Sequence, residues 1–232
     1  MSAICDLIDP AEHRRGAFIV LEGLDRSGKS TQAKLMEQRF VELNKPVKGM
    51  RFPDRTTPIG QMIDGYLKSK VEMEDHAIHL LFSANRWEAV AKIKALVAQG
   101  TTVIADRFFH SGVVYSAAKG NPALNYKWAR APEIGLPRPD MVVFLDLNPE
   151  ETARRGGWGA EKYENGEMQM RVRQLFRDLG KKDIGDWSGE KEVIVLDAGG
   201  GIEEVAEAIW ELVRPRVEAV ERGERGSLKT VF

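Results

Sequence analysis

Cysteine is nearly missing: among 232 residues only Cys5 carries a thiol, so no disulfide can form within one chain. That usage suits a reducing compartment and excludes a cross-linked secreted scaffold. Neither sign of charge is in excess. Lys and Arg number 34 against 35 Asp and Glu, a formal net charge of −1, which excludes a surface that coats nucleic acid by bulk positive charge. Anionic ligands must then be met by locally placed cations. No apolar run approaches the roughly 20 residues that a bilayer-spanning helix needs. Asp6, Asp9 and Glu12 argue against a secretory or mitochondrial leader, so the expected location is the cytoplasm, with the nucleus as the alternative. Internal repeats and low-complexity linkers are lacking too. Residues 1–232 are therefore expected to form one domain, and the 43% hydrophobic content is enough for a full core.

What the chain does have is a Gly-Leu-Asp-Arg-Ser-Gly-Lys-Ser octet at residues 23–30. It fits the P-loop pattern, with Gly23, Gly28, Lys29 and Ser30 in the fixed places. An apolar run from Ala17 to Leu21 precedes it, and Ala33, Met36, Phe40 and Leu43 follow at helical spacing. The glycines let backbone amides turn inward around an anion, and the new helix points its positive end at the same spot. Lys29 adds a point charge for the outer phosphates and Ser30 a hydroxyl for magnesium. The octet implies binding of a nucleoside triphosphate.

Four further β-rich apolar runs follow at Val47–Phe52, Thr101–Ala105, Met141–Leu147 and Glu192–Leu196, each separated by room for a crossover helix. Strands apolar on both faces and alternating with helices predict an α/β fold: a five-stranded parallel sheet covered on both sides, P-loop NTPase-like in its three layers. One long helix is expected over Asp75–Ala98, with Asp75 as its cap, and a last amphipathic helix over Ile202–Val217. Residues 180–191 read as a surface loop.

In such sheets ligands sit beyond the carboxyl ends of the strands. Those ends carry Glu22, Asp25, Arg26 and Lys29; Arg51, Phe52, Pro53, Asp54 and Arg55; Asp106 and Arg107; and Asp146. Cations recurring at separate strand ends suit two phosphorylated substrates meeting head-on, because phosphoryl transfer depends on positioning and charge neutralisation. Arg51 and Arg55 also read as solvated loop charges. Asp106 and Asp146 both resemble the acidic residue that assists magnesium, and the sequence does not decide between them. Asp106 is favoured because its neighbour Arg107 can hold an acceptor phosphate beside the metal; Asp146 can equally cap the turn at Asn148-Pro149. Phe82 and Arg86, four apart on the long helix, can stack on a base and bond its edge, although Phe82 also reads as plain core. His76, His79 and His110 show no spacing that suggests a nucleophile, so transfer is expected to be direct.

The Gly23–Ser30 loop, Arg51-Phe52-Pro53, the run Leu80-Leu81-Phe82-Ser83-Ala84-Asn85-Arg86-Trp87-Glu88, Asp106-Arg107-Phe108 with Ser111-Gly112, and Tyr163-Glu164-Asn165-Gly166 together resemble the thymidylate kinases of the eukaryotic type, from about Arg15 to Arg214. The resemblance implies transfer of the ATP γ-phosphoryl to dTMP, giving dTDP and ADP, with Mg2+ as cofactor. It implies ATP contacts from Gly23, Asp25, Arg26, Ser27, Gly28, Lys29, Ser30 and Thr31. Arg155 would lie over the adenine, with Asp197 and Ala198 lining its pocket. Phe82 would stack on thymine and Arg86 read its edge. Arg55 and Arg107 would hold the monophosphate, Asp25 the sugar and phosphate region, and Tyr115 would crowd the 2′ position. Phe52, Gly112 and Tyr163 would complete the dTMP site, and Ser30 and Asp106 the metal site. Lys29, Arg26, Asp106 and Arg107 form the implied catalytic group, Arg26 supplying transition-state charge from within the P-loop. A short lid corresponds to about 155–163. A homodimer is implied, with no nucleic-acid or membrane partner.

Phe108 departs from the usual Tyr of that family and Lys162 from an Arg, and Gly156-Gly157-Trp158-Gly159 gives the lid an indole. Three rivals are weighed. A deoxynucleoside kinase needs fewer cations than Arg55, Arg86 and Arg107 supply. An adenylate- or guanylate-type kinase fits the short lid and the Phe82–Arg86 run poorly. A non-catalytic nucleotide-binding module would have no use for intact Lys29, Ser30, Asp106 and Arg107.

Overall fold

The computed structural model describes residues 14–148, 151, 161–181 and 193–232. Its centre is a five-stranded parallel sheet in the order β2-β3-β1-β4-β5. The strands are β1 (Phe18–Gly23), β2 (Val47–Arg51), β3 (Thr102–Asp106), β4 (Met141–Asp146) and β5 (Ile194–Asp197). Every residue of β1, β3 and β4 is buried, as expected of strands covered on both faces. The edge strands β2 and β5 have partly exposed residues instead.

Alternation along the strands feeds two cores. Phe18, Val20, Val103, Ala105, Val142 and Phe144 face one side, where α4 (Val90–Ala98), α5 (Phe109–Ala118) and α7 (Gly166–Leu179) supply Val97, Val113 and Phe176. Phe144 and Phe176 stack there with centroids 4.5 Å apart. Ile19, Leu21, Ile104, Val143 and Leu145 face the other side, covered by α1 (Lys29–Glu42) and α8 (Ile202–Glu221) through Phe40, Ile209, Trp210 and Val213. A third cluster of Ile63, Tyr66, Leu67 and Ile78 joins α2 (Pro58–Leu67) to α3 (Asp75–Glu88) and takes in Phe82 and Tyr163.

Three sequence expectations are corrected. The stretch 75–98 is two helices, α3 and α4, because Ala89 takes φ −90° and ψ −10° and its N–H bonds back to the Arg86 carbonyl. The break lets α3 pack on α2 and α5 while α4 lies on β3. The cap of α3 is Glu74, whose side chain accepts from the His76 and Ala77 N–H groups; Asp75 pairs with Lys119 at 2.7 Å. The last helix continues past Val217 to Glu221, with Val220 extending its buried stripe. Residues 182–191 of the expected 180–191 loop lie outside the described residues. Among the described residues no helix is long and apolar enough to cross a membrane.

Register decides what meets at the carboxyl edge. Asp106 pairs with both Leu21 and Arg51, Gly23 with Leu145, and Asp146 with Asp197. The short helix α6 (Tyr126–Arg130) and a following helical turn, Ala131–Glu133, lie between α5 and β4.

Candidate active site

Gly28 caps α1 with φ 95°, a left-handed conformation that suits glycine and lets the turn wrap tightly before Lys29. Lys29 is buried and its Nζ donates to the Leu24 carbonyl. Burial, and then the Arg107 charge, depress its pKa to about 8, against the pull of Asp25, Asp106 and Glu22. Ser30 Oγ donates to Asp106 Oδ2 at 2.5 Å. Ser27 is buried, with its Oγ 3.5 Å from Lys29 Nζ.

Arg107 lies at the centre of the site. Its guanidinium donates to Asp25 Oδ1 at 2.5 Å, to Ser111 Oγ at 2.9 Å and to the Gly23 carbonyl at 3.0 Å. Burial works against its charge, but Tyr115, Asp25, Glu22 and Asp106 outweigh it and raise its pKa. Asp25 also accepts from Gln169 at 3.0 Å and Tyr115 at 3.2 Å. Burial alone would raise Asp25; Arg107 and Lys29 outweigh it and hold the carboxyl below the usual range. Glu22 is wholly buried, which raises its pKa, and it accepts from the N–H groups of Phe108 and Ser111 at the start of α5. Of the strand-end charges it is the one that serves as a helix cap.

A cavity of about 560 Å³ opens over this edge. Asp25, Arg26, Gly28, Lys29, Ser30 and Thr31 line it. So do Phe52, Arg55, Phe82, Arg86, Arg107, Gly112, Tyr115 and Tyr163. Arg55 is tied to Asp64 at 2.6 Å and to Glu161 at 2.7 Å, and Arg26 to Glu164 at 3.1 Å. Tyr163 meets the Tyr66 hydroxyl at 3.3 Å, and Lys162 pairs with Glu72. Phe108 is buried edge-on to Phe18 and Phe52, both at 5.2 Å, an apolar surrounding that has no use for a tyrosine hydroxyl. Arg86 is buried and held by a fork: Nε to Glu133 Oε2 at 2.9 Å and Nη2 to Oε1 at 2.5 Å. Gly112 makes room for it, since a Cβ there would stand 2.5 Å from Arg86 Nη2.

Asp106 and Asp146 now part. Asp106 touches Ser30 and lies 3.7 Å from Arg51. Arg173 and Arg177 bind the Asp146 carboxylate at 2.5 Å and 2.9 Å, and Pro149 of the turn it was expected to cap lies outside the described residues. Ser30 and Asp106 offer hard oxygens side by side. No cluster of three or more His, Cys, Asp or Glu able to hold a metal occurs among the described residues. That donor set fits magnesium, which is bound through one or two protein oxygens and substrate phosphates. Of the residues expected at the adenine, Arg155 lies outside the described residues. Asp197 and Ala198 follow at the end of β5 without lining the cavity, Asp197 accepting from the Gly199 N–H at 2.9 Å.

Several site residues escape the sequence reading. Glu133 lies in a short helical turn, and Glu161 and Gln169 in a loop and on a polar helix face, where acids and amides read as solvated; Glu164 entered only within the Tyr163-Glu164-Asn165-Gly166 run, with no role of its own. His79 and Ser116 line the cavity; extending the Phe82–Arg86 stripe one turn back along α3 would have found His79.

The Thymidylate kinase family model matches residues 21–209. The chain belongs to the thymidylate kinase family. It is 45% identical over 214 residues to the thymidylate kinase of Arabidopsis thaliana, covering 92% of this chain and 77% of that one. With the human thymidylate kinase the identity is 44% over 196 residues, 84% of this chain and 89% of the relative. The solved thymidylate kinase of Candida albicans superposes with a TM-score of 0.81 at 37% identity, over 94% of this chain and 99% of that chain. Membership makes the chain a nucleoside monophosphate kinase, an enzyme, and favours the thymidylate kinase reading over the deoxynucleoside kinase and the non-catalytic module.

Proposed function

We propose that this enzyme transfers the γ-phosphoryl of ATP directly to dTMP, giving dTDP and ADP. The observation that carries the reading is one cavity lined together by the P-loop, Phe82, Arg86 and Arg107, with Arg107 bonded to Asp25 and Gly23 of the P-loop and lying over the Tyr115 ring. The P-loop amides and Lys29 grip the donor phosphates, and Ser30 and Asp106 hold Mg2+, which when bound neutralises phosphate charge. Arg55 and Arg107 take the acceptor phosphate, Arg26 adds charge at the transferring group, and Asp25 fixes Arg107. Phe82 stacks on the base, and Tyr115 crowds the 2′ position. An acceptor phosphate is already anionic, so no general base is required. Arg155, Asp197 and Ala198 would serve the adenine, as the family resemblance implies.

The enzyme is further read as one domain with a lid at about 155–163, active in the cytoplasm as a homodimer. Leu80 and Trp87, exposed and seven residues apart on α3, give that helix an apolar outer stripe suited to a second copy. The test is an acceptor panel with ADP release as the readout: the monophosphates of thymidine, deoxyuridine, cytidine, adenosine and guanosine, and thymidine itself. A clear preference for dTMP is expected. ADP release that ignores the monophosphate, or a preference for thymidine, would overturn the reading.

A further inference from the structure

Glu22, near the carboxyl end of β1, caps the start of α5, but its partners give it a second task. The carboxylate is wholly buried, an unfavourable place for a charge unless donors compensate it. Three do. The N–H groups of Phe108 and Ser111 meet Oε1 at 3.0 Å and 3.1 Å, and the Ser111 hydroxyl meets Oε2 at 2.5 Å. All of these donors follow Arg107 closely in the chain, and Arg107 has φ 69°. Its own N–H donates to the Leu21 carbonyl at 2.9 Å, while the Phe52 N–H donates to the Asp106 carbonyl at 3.0 Å. The peptide before Arg107 is thus tied to neighbouring strands and the peptide after it to Glu22. A left-handed residue with a side chain persists where its surroundings over-determine it, and Leu21 and Glu22 do so from adjacent positions of β1.

A side-chain path runs beside the backbone one. Ser111 Oγ carries a single hydrogen, and the Glu22 carboxylate takes it. Lone pairs are left for Arg107 Nη1, which donates to the same oxygen at 2.9 Å. A guanidinium only donates, so the contact requires the hydroxyl hydrogen to point elsewhere, and Glu22 fixes that direction. Nη1 also donates to the Gly23 carbonyl and Nη2 to Asp25. The guanidinium is therefore located by the P-loop on one side and by the Glu22–Ser111 pair on the other. Burial raises the Glu22 pKa, and the Arg107 charge is the largest influence against that rise, so the two groups also stabilise each other's ionised form.

We propose that Glu22 is a positioning residue for the phosphoryl transfer: through Ser111 and the Phe108 backbone it aims the Arg107 guanidinium at the acceptor phosphate. This deepens the proposed dTMP kinase reading and rests on it. A misplaced charge in such a site loses much of its effect, because the gain depends on donors already held where the phosphate arrives.

Thymidine and dTMP differ only in the phosphate assigned to Arg107, so the ratio of their affinities isolates that contact. Titration calorimetry on the intact enzyme reads it. Ser111→Ala removes the link but leaves the carboxylate and its bond to the Phe108 N–H, and alanine suits a helix. It should cut the preference for dTMP over thymidine by about tenfold, the scale of one buried hydrogen bond to a charged group. Glu22→Gln keeps the shape and can still accept from both N–H groups, but it offers Ser111 an N–H instead of taking its hydrogen. The preference should fall there too, while Ser111→Thr, which keeps the hydroxyl, should retain it. Both changes act on one link, so the double variant should lose no more than the worse single one. An unchanged ratio in either single variant, equal weakening of thymidine and dTMP, or fully additive losses overturns the proposal. A wild type that binds thymidine as tightly as dTMP would overturn instead the function beneath it.

Discussion

At Lys29 a single ammonium is buried against the turn that is meant to hold phosphate. Replacing it with Met keeps the volume and removes the charge. Steady-state turnover should fall by about 100-fold or more, the scale of losing one preorganised donor at a transition state, while the melting temperature does not drop. Glu133 is the converse case, a residue whose loss should be felt first in folding. Glu133→Ala leaves the buried Arg86 guanidinium without its fork, a change worth about 3–5 kcal/mol. A urea titration should show the midpoint falling accordingly. Lys29 was legible in the sequence because glycines, lysine and serine stand at a spacing few other structures need. Glu133 was not, because a carboxylate in a short turn beside Pro132 looks solvated until the fold encloses it. The same blindness hid Glu161, the partner of Arg55, and the pairing of Glu164 with Arg26.

Elements were legible where burial left one solution. Strands β1, β3 and β4 are apolar on both faces, and only a sandwiched parallel sheet satisfies that pattern. The break at Ala89 was hidden, because apolar residues at helical spacing run on both sides of it, and the turn answers to packing against α2 and the sheet. The start of α3 misled for a similar reason: Glu74 and Asp75 are adjacent acids, and only geometry chooses the cap. The start of α7 is less ambiguous, since Asn165 Oδ1 accepts from the Met168 N–H at 2.8 Å. Asn165→Ala should therefore cost about 1 kcal/mol, seen as a drop of about 2–4 °C in melting temperature. Gln169, which holds Asp25, lies on the first turn of that helix, so a modest rise in KM for the acceptor should accompany it.

For the molecule as a whole, acid stability follows from a buried imidazole. His110 is enclosed, and burial, reinforced by Arg130, Arg138 and Arg86, depresses its pKa to about 3. The unfolded chain takes up that proton near its ordinary 6.5. Between those values the unfolded state binds more protons, so stability rises with pH and is lost as pH falls from 6.5 toward 3. The loss from this one ring between about pH 7 and about pH 5 is about 2 kcal/mol. Denaturant titrations across that range should show it, and His110→Phe should flatten the slope. An unaltered slope in the variant would assign acid sensitivity to other groups.

Arg26 and Arg107 share a backbone habit, φ of 65° and 69°, that L-residues with side chains adopt reluctantly. Selection for easy folding would put glycine at both positions; the chemistry of the cleft asks for guanidinium groups there. Two substitutions at residue 26 separate these demands. Arg26→Gly and Arg26→Ala lose the same cation and should be equally poor catalysts, yet the glycine form should unfold at higher denaturant by about 1 kcal/mol. The enzyme thus gives up a margin of durability to aim its charges.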